Sequence, residues 1–145
     1  MELETMRALA QRMNVEIVHE HMHGDLMGLC IDDVIILSDK LDDAAKKCVL
    51  AEEIGHYFTA EGDITQLATV DDYNMELAGR KWGYEVLLPV SQIKAAMRVG
   101  IDSIKDIAEL YKVTPEYVKE ALLYYIYSGQ LEVKEGGWSN ERNIG

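Results

Sequence analysis

The stretch Leu50-Ala51-Glu52-Glu53-Ile54-Gly55-His56-Tyr57 constrains the fold more than any other part of the chain. On a helix, positions 52 and 56 stand one turn apart and project the same way. Position 53 lies about 100° further round, close enough to address anything the other two hold. Glu-Glu-x-x-x-His is common by chance, and its plain reading is a solvated acidic patch. The frame speaks against that reading, because a glycine precedes His56 and Tyr57-Phe58 follow it in an otherwise apolar segment.

A second predicted helix carries the next candidate residue. Twenty positions after His56 comes Glu76, and Gly79 and Gly83 follow it at i+3 and i+7 on the same helical face. A glycine inside a helix costs about 1 kcal/mol relative to alanine. Two of them call for a reason, and a close crossing that brings Glu76 toward the 52/56 face is one; ordinary tight packing is the other.

Around these two helices the 145 residues fit one domain. Apolar residues make up 48%, enough for a real core in spite of a formal net charge of -12. That charge opposes general nucleic-acid binding, which needs a basic surface, and docking on anionic membranes. It is concentrated in residues 1–90, which suits metal binding, a basic partner or plain solubility. Cys30 and Cys48 have no metal-ligand spacing and read as free thiols of a reducing cytosol. The amphipathic acidic start lacks the basic and apolar regions of a signal peptide, and no apolar run approaches a membrane span. The expected location is cytoplasmic.

Periodicity predicts a helix over 3–14, then a small, twisted antiparallel sheet over 15–38 with strands near 15–19, 26–30 and 34–37. A helix follows from Asp43 to about Thr59, with Ala44, Cys48, Ala51, Gly55 and Phe58 near one inward stripe, closed by Glu61-Gly62-Asp63. Another runs from about Tyr73 to Leu88 and stops at Pro89. Three shorter helices come next, over 91–99, 103–111 and 115–127. The last two, joined through Val113 and the Thr114-Pro115 start signal, form a helix-turn-helix pattern. Residues 1–134 are expected to form one domain, with 89–128 a C-terminal helical subdomain and 135–145 a loose tail.

The spacing of the first motif matches H-E-x-x-H metallopeptidases, in which two histidines hold Zn²⁺ and the intervening glutamate is the general base. Glu52 stands where the first histidine would. Together, LAEEIGHYFTAEGDI and NMELAGRKWGYEVLLPV resemble the ImmA/IrrE family of metallopeptidases, in the phage and mobile-element branch with a Glu-Glu-Ile/Leu-Gly-His form. The resemblance covers most of residues 1–130. It implies an α+β, gluzincin-like minimal peptidase: a short sheet, an active-site helix and a ligand helix, followed by the helical segment. By position it makes His56 and Glu76 metal ligands, puts Glu52 in the place of the first ligand, and makes Glu53 the general base. It further implies a metallo-endopeptidase that cuts a helix-turn-helix transcriptional repressor.

Glu52 changes the chemistry of such a centre. Two glutamates and a neutral imidazole neutralise a divalent ion fully, so a bound water is acidified less than in a two-histidine site. Harder oxygen donors also let Mn²⁺ or Fe²⁺ compete with Zn²⁺. The readings left open are a more selective peptidase, a catalytically inactive relative that binds a repressor or other partner without cutting it, and a plain interaction protein of a prophage or toxin–antitoxin module. His19, His21 and His23 alternate on one strand and offer either a replacement imidazole or a site of their own. The candidate recognition helix, Pro115 to Glu120, carries two acids against one lysine, so direct DNA contact is not expected.

Overall fold

The computed structural model describes residues 1–59 and 70–132, with side chains over 1–58 and 77–132. The expected helix end at Glu61–Asp63, the Glu76 side chain and the tail from 135 lie outside the described residues. The fold is α+β, with six helices and a three-stranded sheet among the described residues. The chain divides into two compact units, residues 1–86 and 87–145.

The first unit opens with α1 (Leu3–Arg12), which buries Met6 and Ala10 one turn apart. Asn14 adopts a left-handed conformation (φ 60°), and the Val15 N–H returns to the Ala10 carbonyl at 2.9 Å. This closes the helix and turns the chain into β1 (Glu16–Glu20). β2 (Gly28–Ile31) and β3 (Val34–Ser38) form a hairpin whose turn places Asp32 at φ 51°. The sheet order is β1-β3-β2, with β1 parallel to β3 and β2 antiparallel to it. The sheet is therefore mixed, not antiparallel. Residues 21–27 carry the chain past the β3 position to β2, so β3 returns between β1 and β2. The run Val34–Leu37 is the most apolar of the three strands and takes the centre, where it has a neighbour on each side; Ile35 and Leu37 are fully buried.

β2 and β3 pack on α2 (Asp43–Thr59). Gly28 is seated so close to α2 that a Cβ there would run into the Val49 side chain. Asp42 caps α2 by accepting the Ala45 N–H at 2.8 Å. The middle of this helix is enclosed all round, with Lys47 through Ala51 buried, and so are Ile54 and Gly55. A single inward stripe thus understates its burial. Phe58, expected to face inward, is 42% exposed and rests against the Trp82 ring at 5.3 Å between centroids. α3 (Val70–Leu87) follows and ends at the boundary between the units.

The second unit holds α4 (Val90–Arg98), α5 (Ile104–Tyr111) and α6 (Pro115–Tyr127). Pro89 starts α4, and Gly100 follows its end at φ +89°. Ser103 Oγ accepts the Asp106 N–H at 3.0 Å, and Thr114 Oγ1 accepts the Tyr117 N–H at 3.1 Å, so α5 and α6 both begin on side-chain caps. Between them, Lys112 takes φ 55° and Val113 turns into the core. Ile107, Val118, Ala121 and Tyr125 are buried at the centre, and the Tyr125 hydroxyl donates to the Leu88 carbonyl at 2.7 Å. Within Leu122–Tyr127, Leu122 and Tyr125 are buried while Leu123 and Tyr127 face solvent. Among the described residues, no helix is long and apolar enough to cross a membrane.

Candidate active site

The glycines explain how α2 and α3 meet. A Cβ on Gly55 would collide with the Gly79 backbone, lying 2.9 Å from its carbonyl carbon and closer still to its oxygen. A Cβ on Gly79 would meet the His56 ring and come within 3.0 Å of the His56 backbone nitrogen. The two helices therefore touch backbone to backbone at the residue preceding His56 and at the residue three places after Glu76. Side chains of any size would force them apart. The helix-propensity cost of the pair, about 2 kcal/mol relative to two alanines, is set against this approach.

At the crossing, Glu53 and His56 share one side of α2. His56 Nδ1 lies 3.8 Å from Glu53 Oε2, and both side chains are largely buried, Glu53 at 14% exposure. The Nε2 edge of His56 is closed off from solvent. Glu52 lies further out, and its Oε1 accepts from Nε of Arg80, on α3, at 3.2 Å. Those side chains are 35% and 47% exposed, and an ion pair so open to water contributes about 0–1 kcal/mol. It positions the Glu52 carboxylate more than it stabilises the fold.

The β2–β3 hairpin borders the same place. The Tyr57 hydroxyl donates to Asp33 Oδ1 at 3.3 Å. The charge of Asp33 is the main cause that raises the Tyr57 phenol above its ordinary pKa, so the phenol stays protonated and able to donate. The Cys30 thiol is also raised, by burial first and then by the charges of Glu53, Asp33 and Asp32. It is a poor nucleophile at neutral pH, and the charge of Glu53 acts on it from α2, on which β2 packs.

The donor chemistry here, a shielded imidazole with carboxylates, suits a divalent ion. Among the described residues no group of three His, Cys, Asp or Glu side chains converges to hold one. A full set therefore needs a residue beyond them. Glu76 stands on α3, and its side chain is outside the described residues. The three-histidine site is not formed among the described residues. β1 ends at Glu20, so only His19 belongs to the strand. His21 and His23 meet edge to face at 5.4 Å, and His21 lies 3.7 Å from Asp39. His19 lines an open depression with Arg7 and Asn14, and burial followed by the charges of Lys46 and Arg7 lowers its pKa.

The sequence profile of the Peptidase_M78 family, the IrrE N-terminal-like domain, matches residues 5–123, and the chain belongs to this peptidase family. A search among curated proteins found no match. Sequence reasoning placed Gly79 at a close crossing but did not find its partner Gly55, nor Arg80 as the residue on Glu52, nor Cys30 beside Glu53. An arginine one turn after Glu76, on the helix facing an unusual glutamate, was the available signal for the second of these.

Proposed function

We propose that the chain is a metal-dependent endopeptidase whose substrate is a helix-turn-helix repressor protein. The observation that supports it most is the glycine-to-glycine contact of α2 with α3, which sets a buried Glu53–His56 pair against the helix that carries Glu76. In this reading His56, Glu76 and Glu52 hold one divalent ion, Zn²⁺ or alternatively Mn²⁺ or Fe²⁺. When bound, that ion polarises the scissile carbonyl and acidifies a water. Glu53 takes the proton of the attacking water and passes it to the leaving amine. The low exposure of Glu53 keeps bulk water from competing for that proton.

A substrate segment has open strand edges to join, on either side of the Val34–Leu37 strand. β3 is flanked on both sides, and among the described residues the free edges belong to β1 and β2. β2 packs on α2, the helix of Glu53, and exposes Leu29 and Ile31, which favours it as the docking edge.

The Glu52–Arg80 pair favours a second reading, in which the Glu52 carboxylate is taken up by arginine and the chain binds a repressor without cutting it. Elemental analysis of the purified protein, with the repressor followed by mass, separates the two. The peptidase reading expects one divalent ion per chain and cleavage by the wild type. Glu53→Gln should retain fold and metal and lose cleavage by about 10²–10⁴-fold. Binding of the repressor without cleavage by both proteins, with Zn²⁺, Mn²⁺ and Fe²⁺ each supplied, would establish the second reading.

A further inference from the structure

We propose that Arg80 is a positioning residue that tunes the charge of the metal centre, holding Glu52 as the electrical equivalent of the missing histidine; this rests on the metallopeptidase reading above. A ligand set of His56, Glu76 and Glu52 carries two negative charges, one more than a set of two histidines and one glutamate. The Arg80 guanidinium, with Nε 3.2 Å from Glu52 Oε1, returns that one positive charge to the position where the sequence departs from H-E-x-x-H. The arginine fork suits this task. It stays charged at every working pH, and its Nε contact falls on one carboxylate oxygen, Oε1. A carboxylate that donates through one oxygen while the other is held by a cation is a weaker, less electron-rich ligand, closer to a neutral imidazole. The glycine crossing makes the pairing possible, because the close approach at Gly55 and Gly79 brings position 80 of α3 within reach of position 52 of α2.

The role makes a prediction that a mere brace between helices does not. Removing the charge of Arg80 strengthens the attraction of the site for a cation, so metal binding becomes tighter while cleavage becomes slower. A brace, when removed, loosens the site and weakens both.

The test is a competition titration of the full-length protein with Zn²⁺ and with Mn²⁺ against a chromophoric chelator, with circular dichroism to confirm folding. Arg80→Gln should bind both ions about tenfold more tightly than wild type, a modest change for one charge near a solvated site. Arg80→Lys keeps the charge and should stay within about threefold of wild type. In the Glu52→His background, Arg80→Gln should raise affinity by about threefold or less, because no carboxylate remains for the arginine to hold and only its solvent-screened charge still acts on the site. Weaker metal binding in Arg80→Gln, or the same change in both backgrounds, would overturn the proposal and leave Arg80 as a brace. A wild-type protein that takes up neither ion would overturn the metallopeptidase reading itself, and with it this role.

Discussion

Two helix pairs in this chain are built on opposite principles. α5 and α6 are held by side chains: Ile107, Ala108, Val118 and Ala121 fill the space near them, and each helix starts on a side-chain cap. α2 and α3 meet where the side chains stop, at Gly55 and Gly79, and the groups beside that contact are Glu53, His56, Glu52 and Arg80. The first pair is assembled from locally favourable choices. The second gives up helix propensity and core packing at the contact, and in return places polar groups at a fixed spacing. In the proposed function, that costly crossing is where the peptidase chemistry sits.

Substituting the contact glycines should break this contrast most visibly. Gly55→Ala gains about 1 kcal/mol of helix propensity but drives a Cβ into the Gly79 backbone, which cannot swing aside as a side chain does. Overpacking of this kind costs about 1–3 kcal/mol, and a clash with backbone stands at the upper end, so the net effect in a urea melt should be a loss of up to about 2 kcal/mol. Gly79→Ala acts differently, because its Cβ meets the His56 ring. It should lose metal binding even where much of the fold survives, read as metal per chain at equal helicity. A variant of either glycine more stable than wild type would show that the helices do not touch there.

Removing a cap from the other pair is a smaller perturbation of the same comparison. Thr114→Ala deprives the Tyr117 N–H of its acceptor and should cost about 1 kcal/mol by denaturant unfolding, with metal content unchanged. A change in metal binding from Thr114→Ala would mean that the division of labour between the two units is wrong.

The same contrast explains what the sequence could and could not reveal. The start of α6 was legible because Thr114-Pro115 states it within two residues, and α2 was legible for the same reason at Asp42-Asp43. The sheet order was not, because nothing local in Glu16–Glu20 says whether its neighbour will be β2 or β3. Alternation fixes which residues share a face, and leaves direction and partner to the return path of the chain. At the site, the residue types of Glu53 and His56 carried their own signal. Arg80 and Gly55 did not, since each takes its meaning from a residue on the other helix, 28 positions away for Arg80 and Glu52.

The smallest effect tests whether β2 borders the site at all. Burial is the main cause that raises the Cys30 thiol, and the carboxylate of Glu53 is the next. Alkylation proceeds through the thiolate, so a raised pKa lowers the reactive fraction at any pH below it, and Cys30 should react more slowly than an exposed thiol at pH 8. Glu53→Gln removes one of the charges that hold the proton on. The thiol pKa then moves down toward its ordinary value, and the alkylation profile against pH should shift to lower pH. It should still stop short of an exposed thiol's profile, because burial remains. Asp33→Asn should shift it the same way and also free the Tyr57 hydroxyl from its acceptor. Peptide mapping by mass separates Cys30 from the buried Cys48, which serves as the internal reference. An unchanged Cys30 profile in Glu53→Gln would remove β2 from the neighbourhood of the general base, and with it the argument for β2 as the docking edge of a substrate.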